Sequence, residues 1–180
     1  MYRVLPLEEV IIRVTYDKKN IIPEYGVGGF CGDEAYIDIF LEENRESDWE
    51  RWLPSTLYHE WHHLARRRGP GYGKSLLEAL ISEGLALHFE IEVEGKEPPF
   101  FADFLEQDVR YKMIDILKIE YSDTQYDHWR WFFGKGEFPF LAGYDLSYYI
   151  IKKYLEDKGV NSSELVELSA KELSSLIVRL

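Results

Sequence analysis

A single cysteine, Cys31, stands among 180 residues, so no internal disulfide is available to the chain. No uninterrupted apolar run approaches the roughly 20 residues that cross a bilayer, and the longest candidates, such as 148–155, contain lysines. Cations are scarce too. Lys and Arg number 21 against 33 Asp and Glu, leaving a formal net charge of −12. That balance argues against nucleic acid and anionic membrane as partners, because both are bound by neutralising phosphates with clustered Lys and Arg. The opening MYRVLPLEEV carries acids where a secretion signal would need an apolar core behind basic residues. The expected location is therefore the cytoplasm. The one basic cluster, residues 66–68, falls where a helix should end, and there it suits the helix dipole better than it suggests an anion site.

What is present suffices for a folded core. Apolar residues make up 46% of the chain and aromatics 16%, without internal repeat, low-complexity linker or composition break. One domain over residues 1–180 is expected, β-rich in 1–50 and helical in 51–180. Residues 10–16 are crowded with β-branched side chains and residues 35–41 alternate in part, as strands do. Between them Gly26-Val27-Gly28-Gly29-Phe30-Cys31-Gly32 is too glycine-rich for a packed strand interior. It reads as a turn, a bulge or a place of close backbone approach.

Pro54 suits a first helical turn, and Leu57, Trp61 and Leu64 follow at helical spacing, predicting a helix over 54–68. A second helix is expected over 75–89, opened by a Ser75/Glu78 capping box, and a third over 101–119. An aromatic loop fills 121–140 and a further helix 145–157. The last twenty residues hold one or two short helices, the second opened by Ser169 and Glu172.

Within the first helix, residues 59–63 read His-Glu-Trp-His-His and satisfy His-Glu-x-x-His. Histidines four apart on a helix differ by only about 40° around its axis, so both imidazoles reach one point while Glu60 lies beside it. That geometry offers two nitrogen ligands and one free base, the requirement of a zinc ion that activates water. A candidate third ligand follows after nineteen intervening residues: Glu83, in Ser82-Glu83-Gly84-Leu85-Ala86 on the next helix, with Glu78 as its competitor. Gly84 would let the two metal helices approach closely.

His-Glu-x-x-His followed by Glu-Gly-Leu-Ala resembles the gluzincins, the two-histidine, one-glutamate zinc peptidases that include thermolysin-like enzymes and aminopeptidases. More narrowly, residues 55–156 resemble a small bacterial and archaeal group of predicted zinc-dependent proteases, the YjaZ-like proteins. In that group a tryptophan-rich loop and a Gly-Tyr-x-x-Gly-Tyr helix start follow the metal helices. This chain has residues 129–134 and then Gly143-Tyr144-Asp145-Leu146-Ser147-Tyr148. The resemblance implies an α+β, zincin-like fold with a thermolysin-like catalytic core. A small N-terminal antiparallel sheet would carry the metal helix, ahead of a mainly helical C-terminal part.

For chemistry it implies one Zn2+ per chain on His59, His63 and Glu83, with Glu60 as base and a peptide or protein as substrate. Tyr144 is implied as the phenol that meets the oxyanion. Ser147 replaces the family's glycine, which keeps Tyr148, one turn on, as the second candidate. A peptide substrate would lie extended along residues 26–41.

Other residues have blander readings. His62 is expected in a supporting or surface role, Glu78 in the capping box, His88 and His128 as ordinary histidines, and Cys31 as a small buried hydrophobe. A peptidase is the leading function. A silent zincin-fold binding or regulatory module, and a zinc hydrolase of non-peptide amides, fit the same residues.

Overall fold

The computed structural model describes residues 4–32, 35–43 and 48–180. Three strands, β1 (Ile11–Tyr16), β2 (Val27–Cys31) and β3 (Tyr36–Leu41), form a sheet of order β1-β3-β2. β2 pairs antiparallel with β3, but β1 pairs parallel with it, so the sheet is mixed and not antiparallel. The connection explains this. The chain leaves β1, passes the position β3 will take, and returns through the short link from β2, which makes β3 run in the direction of β1.

The glycine-rich stretch is an edge strand, not the turn or bulge expected, and its glycines stand where other groups come close. A Cβ on Gly28 would lie 2.0 Å from the Asn20 carbonyl oxygen, and one on Gly29 2.5 Å from Glu60 Cγ. Val27, Cys31, Ile37, Ile39 and Leu41 are buried on one face, where the first helix covers β2 and β3. β1 lies beyond that cover and is exposed along its whole length.

The helices are α1 (Trp49–Arg66), α2 (Leu76–Glu94), α3 (Gln107–Glu120), α4 (His128–Phe132), α5 (Ala142–Lys158) and α6 (Ala170–Arg179), with a short 3-10 turn at Ser162–Leu165. α1 begins before Pro54, which sits inside it. Residues 101–106, expected to be helical, are held otherwise. Asp103 adopts φ 63°, and the buried Asp145 carboxylate accepts the N–H groups of Phe104 and Leu105 together with the Arg110 guanidinium. The aromatic loop carries α4 and delivers Trp131 and Phe132 fully into the core, leaving Trp129 exposed.

α2 is the axis of the molecule, with thirteen of its nineteen residues buried, because it has a core on each side. One core joins it to α3, α5, α6 and the aromatic segment. The other joins it to α1 and the sheet. Its start is the expected capping box, the Glu78 carboxylate accepting the Ser75 N–H at 2.9 Å.

Gly84 serves a different neighbour from the one its position suggested. A Cβ there would lie 2.4 Å from the Ser147 carbonyl oxygen, so the glycine admits α5, not α1. The basic cluster is pinned and does not simply meet the dipole: Arg66 is buried and donates to the Val166 carbonyl, while Arg67 donates to that of Cys31.

Candidate metal centre

α1 and α2 bring three donor groups to one place. His59 Nε2 lies 3.0 Å from His63 Nε2 and 3.1 Å from Glu83 Oε2, and His63 Nε2 lies 3.5 Å from Glu83 Oε1. Ligands held at about 2.0–2.2 Å around a tetrahedral zinc stand roughly 3.3–3.6 Å apart, so the spacing fits a single ion between them. The outer side of each imidazole is engaged elsewhere. His59 Nδ1 lies 2.6 Å from Glu90 Oε1 and His63 Nδ1 lies 3.1 Å from Ser82 Oγ. In the neutral imidazoles, Nδ1–H donated there would leave both Nε2 lone pairs facing the carboxylate. Three acceptors converging in this way call for a cation. Among the described residues, His59, His63 and Glu83 form a group of metal-ligand type, with their ligand atoms within 4.8 Å of one another.

The electrostatics follow the same geometry. Burial works against a charge on His59, but Glu83 and Glu90 outweigh it and hold the imidazole well above its ordinary pKa, so that a metal bound there would displace a proton from between His59 and Glu83. Burial alone would raise Glu83, yet the facing His63 and His59 keep it well below the carboxylate range. Glu60, one residue from His59 and out of the cluster, is pushed up by burial against the opposing pull of the two histidines and of the Cys31 N–H. A buried carboxyl with a raised pKa is suited to carrying a proton between two partners.

The two candidate tyrosines separate. Tyr144 is held well above its usual pKa first by burial and then by the charges of Glu83 and Glu60, and its ring packs edge-on against Phe101 and Phe132. Tyr148 instead stacks on His88 with ring centres 4.4 Å apart, and the charges acting on it are Asp103, Glu156 and Glu97. The structure does not bring Tyr148 to the site. The hydroxyl of Ser147 donates to the Gly143 carbonyl at 2.7 Å inside α5.

Several neighbours escaped the sequence. The ring of Tyr72 lies 5.6 Å from that of His63, and the Glu83 charge acts on Tyr72, Tyr126 and His128. They come from loops and α4, where no period announces them. Glu90 did have a signal, standing on the same face of α2 as Glu83. His62 is neither a surface histidine nor a partner of the ligands: it is fully buried beside Phe89, and neither ring nitrogen has a hydrogen-bond partner. Cys31 is buried as expected.

The description "Predicted Zn-dependent protease (DUF2268)" belongs to a family whose model matches residues 4–175. The uncharacterized protein YjfC of Bacillus subtilis (strain 168) is 27% identical over 176 residues, covering 88% of this chain and 58% of that relative. The chain thus spans little more than half of the relative's length. No solved structure matches. No described helix is long and apolar enough to cross a membrane.

Proposed function

The chain belongs to this family of predicted zinc-dependent proteases, and from that premise we propose that it is a zinc peptidase of zincin-like architecture. In this reading His59, His63 and Glu83 hold one Zn2+, and Glu60 is the catalytic base. The observation that carries it is the convergence of two Nε2 atoms and a carboxylate at 3.0–3.5 Å, with both Nδ1 atoms occupied on the far side. Zinc bound there supplies a Lewis acid that lowers the pKa of water and polarises a carbonyl.

The chain's own residues do the rest. Glu90 and Ser82 hold the imidazoles in the tautomer that presents Nε2. The Glu60 carboxylate takes a proton from the attacking water and passes it to the amine nitrogen as the peptide C–N bond breaks. The Tyr144 hydroxyl donates a hydrogen bond to the carbonyl oxygen as negative charge grows on it. The substrate's backbone lies along the edge of β2, which passes over Glu60.

The test joins metal analysis to activity. Protein purified without chelator should carry about one zinc per chain. Wild-type protein should cleave members of a mixed peptide library. Glu60→Gln should keep the zinc and lose about 10²–10⁴-fold in turnover, the scale of a lost general base. Metal lost equally from Glu60→Gln and Glu83→Ala would make Glu60 a ligand and overturn the assignment.

A further inference from the structure

The pairing of β2 divides its backbone into two sets. Gly26 accepts the Glu42 N–H at 2.9 Å, and the register from Val27 opposite Leu41 to Cys31 opposite Ile37 continues that ladder. In an antiparallel pair, bonded and unbonded positions alternate, so Gly28 and Phe30 bond to β3. Val27, Gly29 and Cys31 point their N–H and C=O groups to the outer edge.

The two ends of that edge are taken. The chain turns back through residues 23–26 so that Ile22 donates its N–H to the Val27 carbonyl at 3.0 Å. At the other end Arg67 Nη2 donates to the Cys31 carbonyl at 2.7 Å, and its Nε lies 3.3 Å from Cys31 Sγ. Gly29 lies between them. No bond to its outward groups is found among the described residues, and its missing Cβ is the space that Glu60 fills.

Resting on the peptidase reading, we propose that this edge grips a substrate through the backbone of one residue only, at Gly29. Arg67 and Ile22 act as stops on either side, which makes the protein specific for short peptides. An open edge would add a pair of backbone hydrogen bonds for every second residue of an extended substrate. Here that gain ends after the first pair. A longer chain must leave the sheet and finds no further ladder.

Peptides lengthened from three to eight residues should gain less than threefold in kcat/KM beyond the fourth with the zinc-loaded protein. Replacing a substrate amide by an ester should cost about 3–10-fold at one position, the scale of one neutral hydrogen bond. The same replacement two residues to either side should cost less than twofold. Arg67→Met keeps the stem and removes the donors, so a second ester-sensitive position should emerge on the Cys31 side. Two sensitive positions in wild type, or a continued rise with length, would overturn the proposal and leave the peptidase reading intact.

A readout free of turnover keeps the two ideas separable. A six-residue peptide added to Glu60→Gln protein should slow hydrogen exchange of the Gly29 amide and leave the Val27 amide unchanged. Unslowed exchange at Gly29 refutes the clamp. Absence of any hydrolysis by wild type, with Gly29 slowed, supports the clamp and refutes the peptidase.

Discussion

At seven residues beyond Glu83, Glu90 returns to within about 20° of the same face of α2, and this is why it meets His59 from behind while Glu83 meets it from the front. Its buried carboxylate fixes the imidazole's tautomer, so Glu90→Ala should weaken zinc binding by about 10–100-fold in a chelator competition. Affinity within twofold of wild type would reduce Glu90 to a packing residue. Tyr144 and Tyr148 are told apart by their surroundings: the charges of Glu83 and Glu60 act on the buried first, and the second stacks on His88. Tyr144→Phe should therefore lower kcat and kcat/KM together by about 10²-fold, roughly 2.7–4 kcal/mol, with KM barely moved. Tyr148→Phe should turn over like wild type. The reverse pattern would mean that α5 presents its other face to the substrate.

At the scale of single elements, α2 depends on its first turn and on one glycine. Glu78 is held below its ordinary value of 4.5 chiefly by the Ser75 N–H, against the opposing effect of partial burial. A carboxylate whose folded pKa is depressed stabilises above its unfolded pKa, and that contribution is lost as pH falls through the folded one. Glu78→Ala should cost about 0.5–2 kcal/mol at pH 7 in denaturant titrations, and the difference from wild type should shrink below pH 4.5. A difference that stays constant down to pH 3 would mean that the box works without its charge. The caps were legible because Ser-x-x-Glu is a local pattern, whereas Gly84 could be read only as a place of close approach. Its partner, the Ser147 backbone, lies on a helix more than fifty residues away. The 101–106 segment misled for a related reason: Asp145 claims its N–H groups from α5, and a propensity reading cannot see a competitor so far along the chain.

For the whole molecule, the His59, His63 and Glu83 cluster sits where α2 runs between two apolar cores, and those cores are built from other residues. Removing zinc should therefore leave the chain folded. Binding of an ion at about 100 times its Kd stabilises by about 2.7 kcal/mol, and at roughly 2–4 °C per kcal/mol the chelated protein should melt about 5–11 °C lower. Collapse of its transition to room temperature would make the ion structural. The spacing of His59, Glu60 and His63 and the capping boxes were readable from residue order, because each is a relation within one or two turns of one helix, and the order of helices was readable because each carries its own apolar period. The mixed sheet, the glycine strand at its edge and the helix that Gly84 admits were not. Each depends on which distant segments meet once the chain has crossed itself, and burial and backbone pairing decide that only in three dimensions.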